Sequence, residues 1–211
     1  MRRTASVPLL LFLAAPLSAQ QARLPSSRSG DWQVRYDRPN ASDTSMRIET
    51  MPPGWHFTTN MRGSAIAWQA NQSARGNFRV EAETFLFPTT SGHAEGYGLV
   101  LGGRDLDADA QSYLYFLVRG DGQFLIKHRQ GAQTHDIVPW TAHPGVARQE
   151  GTANAREILA VEAASDSVRF FVNGQQVRAL ARSAAPVDGL VGLRVNHALS
   201  VHVTRVTVTQ R

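Results

Sequence analysis

The chain has 211 residues, 42% of them apolar and 18% charged, with a formal charge of +5. That is long enough to bury one sizeable core and too polar to live in a bilayer, and the 17 glycines and 10 prolines are spread too evenly for a collagen-like or broadly disordered chain. The absence of cysteine excludes disulfides, thiolate metal sites and a cysteine nucleophile.

At the N-terminus, Arg2 and Arg3 precede the apolar run Val7–Ala15, and the small residues Ser18 and Ala19 follow. This is the pattern of a secretory signal peptide, residues 1–19, and its apolar run is about half the ~20 residues a membrane span needs. Cleavage after Ala19 would remove two arginines and lower the formal charge from +5 to +3. The expected product is an exported protein, periplasmic or extracellular, with no membrane span, and the arginine and alanine bias points to a bacterial source. Residues 20–30 are small, polar and unpatterned and read as a flexible leader to a single domain, 31–211. The basic residues, 21 arginines and Lys127, are scattered singly, whereas a nucleic-acid footprint needs a clustered face, so no nucleic-acid partner is expected.

From Asp31 onward, short segments of alternating character are separated by Gly, Asn and Asp, with almost no sustained helical period. Strands are expected around Trp32–Tyr36, Met46–Thr50, Trp55–Thr59 and Ala65–Trp68. The clearest runs from Asn77 to Phe87, with Phe78, Val80, Ala82, Thr84 and Leu86 on one side and Arg79, Glu81, Glu83, Phe85 and Phe87 on the other, and Pro88 stops it. Tyr97–Gly102 follows. Gln111–Arg119 and Gln123–Arg129 flank Gly120-Asp121-Gly122, a hairpin connection. Short helical turns are expected near Thr141–Glu150. Arg156–Ala163, Ser167–Val172 and Gln175–Leu180 come next, the last two joined by Asn173-Gly174, a pair suited to the positive φ angles of a type I′ turn. Gly189–Val195 and Ser200–Thr209 complete about a dozen strands. A single open sheet rarely grows so wide, so the expected fold is all-β, a two-sheet antiparallel β-sandwich.

Glu95-Gly96-Tyr97-Gly98-Leu99-Val100, Tyr113-Leu114-Tyr115-Phe116, Arg169-Phe170-Phe171-Val172-Asn173-Gly174 and Asp188-Gly189-Leu190-Val191-Gly192-Leu193-Arg194 resemble successive strands of concanavalin A-like jelly rolls. Within that superfamily their order and spacing resemble laminin-G-like and 3-keto-disaccharide hydrolase-like domains, over roughly Phe57 to Val208. The resemblance implies a curved sheet whose concave face meets glycans. Such folds host many unrelated activities.

Four groups of residues are candidates for chemistry. Glu81 and Glu83 lie on one strand face with Cα atoms about 6.6 Å apart, a spacing compatible with a carboxylate pair acting on a glycosidic bond. The jelly-roll glucanases that the chain resembles carry Glu-x-Asp-x-x-Glu or Glu-x-Asp-x-Glu, and here Phe85 or Leu86 stands where the acid is expected, so the proton donor is missing. The competing reading pairs both glutamates with neighbouring arginines. Asp105, Asp107 and Asp109 recur every second residue and could offer oxygen ligands to a structural Ca²⁺, although Ala110 and Phe116 exclude the helix-loop-helix calcium motif. No other cofactor is expected. His56 and His197 sit at strand ends, where an imidazole could bind a hydroxyl or shuttle a proton. No Gly-x-Ser-x-Gly elbow is present.

The aromatics point toward binding. Trp55, Trp68, Tyr97, Tyr113, Tyr115 and Trp140 could stack on a pyranose while Arg119 and Asn196 read its hydroxyls. Tyr113 and Tyr115 share a strand face opposite Leu114 and Phe116, which look like the core pair, leaving the tyrosines outward with Arg119. The leading expectation is a glycan-binding module with an open aromatic groove. One alternative is a glycoside-processing enzyme, a hydrolase or lyase, in which at least two of Glu81, Glu83, His56 and His197 meet in one pocket. The other is an envelope-associated adhesion domain presenting a flat apolar patch.

Overall fold

The computed structural model describes residues 26–88 and 94–211, so the expected signal peptide and the first part of the leader lie outside the described residues. Fifteen strands, numbered in chain order, form two antiparallel sheets. The eight-stranded sheet runs β1 (Ser26–Ser29), β2 (Trp32–Tyr36), β5 (Ala65–Ala74), β14 (Gly189–Val195), β7 (Gly96–Arg104), β8 (Ser112–Arg119), β9 (Gln123–Gln130), β10 (Gln133–Ala142). The seven-stranded sheet runs β13 (Gln175–Ala181), β12 (Ser167–Val172), β11 (Ala155–Ala163), β6 (Phe78–Leu86), β15 (Ser200–Gln210), β4 (Trp55–Thr59), β3 (Met46–Thr50). The expected sandwich is therefore present. No helix among the described residues is long and apolar enough to cross a membrane.

Period-two patterning positions the core. In β6, Phe78, Val80, Ala82, Thr84 and Leu86 are buried while the residues between them are only partly so. Phe78, Val80, Ala82 and Leu86 join Leu114, Phe116 and Ile126 of the other sheet in one apolar cluster. Phe116 packs edge-on to Phe170 at 5.3 Å between ring centroids, a contact across the two sheets. Full burial of such a side chain is worth about 1.5–3 kcal/mol.

Turn chemistry sets the registers. Asn173 and Gly174 have φ of 50° and 78°, as the type I′ turn requires. Gly122 has φ of 84°, and its N–H closes the β8–β9 connection onto the Arg119 carbonyl at 3.1 Å.

One expectation is corrected and two strands are added. Thr141 and Ala142 end β10, the stretch up to Glu150 holds turns without a helix, and the one helical piece among the described residues is a 3₁₀ turn at Arg182–Ala184. β10 itself was not expected: it is an edge strand whose only buried residue is Val138, so it lacks an alternating apolar face. Two register shifts against β9 break its ladder where Pro139 lies, a proline being tolerated at such edges. Ser26–Ser29, inside the expected leader, pair with β2 as β1.

Candidate functional site

The eight-stranded sheet has a second apolar cluster on the face turned away from the core. Ile66, Trp68, Val100, Tyr113, Tyr115, Leu117 and Leu125 form it, joined by Leu106 from the β7–β8 loop and flanked by Trp140 and Leu190. Register builds this face in rows: Arg35, Ile66, Arg194, Gly98, Leu117 and Leu125 in one, and Gln33, Trp68, Gly192, Val100, Tyr115, Lys127 and Asp136 in the next.

Arg194 organises the centre. Its guanidinium carbon lies 4.9 Å from the centroid of the Tyr115 ring, Nη1 donates to the Tyr113 hydroxyl at 3.5 Å, and the two terminal nitrogens grip the Asp37 carboxylate. Burial opposes the charge on Arg194, but Asp37, Tyr113 and Tyr115 together outweigh it and its pKa is raised. Burial pushes the Tyr113 phenol up to about 12, and raises Tyr115 as well. Arg129 approaches Asp37 at 3.8 Å, and Lys127 bonds Asp136 at 2.8 Å. At one margin Arg119 lies 4.4 Å over the Trp140 ring and donates to Asp121 at 2.8 Å. The indole rests against Gly96, where a Cβ would come within 2.8 Å of it, so any side chain there would push Trp140 away.

Tyr113 and Tyr115 thus point away from the core, opposite Leu114 and Phe116, as the alternation implied. They are not exposed, however: Tyr113 is 1% and Tyr115 6% accessible. The reason is long-range. The β7–β8 loop folds over this face, placing Leu106 in the cluster and Asp109 against Arg35 at 3.3 Å. The open groove is corrected to a covered one. Trp68 belongs to this cluster, but Trp55 packs on Trp32 at the edge of the core, and Tyr97 lies within the core, its phenol raised first by burial and then by Glu157.

No hydrogen bond joins any two of Glu81, Glu83, His56 and His197, and each is held by a different partner. Glu81 accepts from Arg79 at 2.6 Å. Glu83 accepts from Thr204 and Arg156, each at 2.8 Å, and these bonds hold its pKa below the usual range. His56 bonds Ser200 at 2.9 Å and stacks 6.3 Å from His202, its pKa lowered by burial and then by that neighbour. His197 contacts Glu95 through Nε2 at 3.2 Å and Ser64 through Nδ1 at 3.3 Å, while Asn196 donates to the other Glu95 oxygen at 3.2 Å. This chain of groups resembles a nucleophile relay, but Ser64 is buried at 8% exposure. It fastens the β14–β15 turn to the ends of β5 and β7. Asp105, Asp107 and Asp109 do not converge: among the described residues no three acidic or imidazole groups are placed to hold a metal ion.

A cavity of about 450 Å³ lies beside the β8–β9 turn, lined by Gly122, His143, Val146, Ala147, Arg148 and Glu150 among others. Behind its wall, buried Glu157 accepts from the Ala147 N–H at 2.6 Å and from Asn173 Nδ2 at 2.5 Å. Burial pushes its pKa up to about 7. Glu157, Asp37 and Arg35 were not among the expected site residues, nor was Arg194, though an arginine inside the apolar strand Gly189–Val195 is a signal the sequence does contain.

No family model matches the sequence, and no curated protein does. Solved structures do. The carbohydrate-binding module CBM66 from Bacillus subtilis superposes with a TM-score of 0.60 at 13% identity, over 85% of this chain and 96% of that one. The carbohydrate recognition domain of Emp46p in its potassium-bound form gives 0.58 at 12% identity, covering 85% and 88%. The GH43 protein BlXynB from Bacillus licheniformis gives 0.52 at 11% identity, covering 97% of this chain and 41% of that one. The likeness is one of fold: the chain is a two-sheet antiparallel β-sandwich of the jelly-roll kind.

Proposed function

We propose that this protein binds a saccharide on the outer face of its eight-stranded sheet. The observation that carries the reading is the fixed set of Arg194, Asp37, Tyr113 and Tyr115 on that face, beside Trp68 and within a strand or two of half-buried Lys127. A charged network tied to aromatic rings on the side of a sheet facing away from the core serves no packing need that aliphatic residues would not meet, and rings beside fixed donors suit a pyranose. Structural neighbours named as a carbohydrate-binding module and a carbohydrate recognition domain support the same reading. The Arg2, Arg3 and Val7–Ala15 pattern supports action after export.

A glycoside-processing role has less support, because each of its four expected acids and bases is engaged by another partner. An adhesion role through an apolar patch also has little, since Met51 and Met61 are the only large hydrophobic residues exposed among those described.

The test is a glycan array, followed by calorimetry, on the exported protein and on Trp140→Ala and Lys127→Ala. Binding of a defined glycan that weakens tenfold or more in either variant is expected. An array without a ligand, or binding indifferent to both variants and to Arg194→Met, refutes the reading, and release of a cleaved product would replace binding with catalysis.

A further inference from the structure

The same face holds a guanidinium with too few partners. Arg35 of β2 is 3% exposed, and its Nη2 donates to Asp109 at 3.3 Å, while its Nε and Nη1 are buried and bonded to nothing. Nε of Arg194, two strands away in the same row, is in the same condition. A charged group withdrawn from water with most of its donors idle is strongly disfavoured unless something completes it. Arg35, Arg129, Arg194 and Lys127 also outnumber Asp37, Asp109 and Asp136 on this face, and the Asp109 side chain is 59% exposed, so the anion opposite Arg35 is largely given over to solvent.

Resting on the saccharide reading, we propose that the ligand is a carboxylated saccharide, a glycan containing uronic acid, and that its carboxylate replaces Asp109 on Arg35. A guanidinium grips a carboxylate through one of two forks, Nε with Nη2 or Nη1 with Nη2. Both forks use the nitrogen that Asp109 now holds through a single oxygen, so a bidentate ligand displaces Asp109. The two anions compete for one site. Asp109 shares its loop with Leu106, which packs in the Trp68 and Tyr115 cluster, so displacement also loosens the loop's hold on the rings on which the sugar would stack.

Calorimetry on the exported protein compares oligogalacturonate with its methyl ester, which replaces each carboxylate charge with a neutral group one methyl larger. The acid is expected to bind at least tenfold more tightly than the ester, less so as salt rises. Arg35→Gln should erase that preference. Asp109→Ala, at an exposed position, should tighten acid binding several-fold by removing the competitor, and it decides the matter if Arg35→Gln does not fold. Equal affinity for acid and ester, or an Asp109→Ala variant with unchanged or weakened acid binding, overturns the carboxylate assignment while leaving saccharide binding in place. Failure to bind the acid, the ester and every neutral glycan overturns both.

Discussion

Asn173 donates its side-chain amide to Glu157 at 2.5 Å while its Oδ1 accepts from the Ile158 N–H at 2.8 Å, so the β12–β13 turn is tied to β11 by one residue at φ 50°. The Asn at this turn does more than tolerate positive φ. It satisfies a buried carboxylate that also holds the Ala147 backbone, and with it one wall of the cavity beside the β8–β9 turn.

That carboxylate should make stability depend on pH. Glu157 titrates near its ordinary value of 4.5 in the unfolded chain and near 7 in the fold, because burial disfavours its charge. The folded protein therefore binds the proton more tightly. This stabilisation is complete below about pH 4.5 and is lost as pH rises through 7, by roughly 3 kcal/mol in all. Urea unfolding at pH 5 and pH 8 should show a smaller difference for Glu157→Gln than for the parent protein. An unchanged difference would show that Glu157 is ionised throughout.

The ion pair beneath the aromatic rings should be expensive to break. Arg194→Met leaves Asp37 without its main partner, and Asp37 is about one-fifth exposed, so the expected loss is about 2–4 kcal/mol, below the upper range for fully buried pairs. Asp37→Ala combined with Arg194→Met should cost less than the two singly added, with a coupling of 0.5–3 kcal/mol expected for residues in contact. Additive losses would show that the two side chains do not depend on each other.

The seven-stranded sheet should be chemically inert. Glu81 and Glu83 are partners of Arg79 and Arg156 on its outer face, so Glu81→Gln and Glu83→Gln should each change stability by less than about 1 kcal/mol and leave saccharide affinity untouched. A large loss of affinity in either variant would move the site to this sheet.

How legible was this in the sequence? The strands with a buried stripe were, because alternation in β6 and the Asn173-Gly174 pair depend only on neighbours. β10 was not, since an edge strand with one buried side chain has no stripe to detect. The candidate face divides the same way. Alternation places Tyr113 and Tyr115 opposite Leu114 and Phe116 correctly, and the arginines near Glu81 and Glu83 do pair with them. The tyrosines are buried among Ile66 and Trp68 of β5, which are far from them in sequence, and Arg194 meets Asp37 across 157 positions of chain. Nothing local to either residue encodes such a meeting.

The irregular border formed by β10 has its own consequence for the molecule in solution. A straight outermost strand offers a ladder of free amides and carbonyls on which another chain can grow, whereas Pro139 lacks one amide and the two register shifts interrupt the spacing of the rest. This side of the sandwich is thereby protected against fibril-like recruitment of further copies, a safeguard suited to a cysteine-free protein whose sheets no disulfide can join.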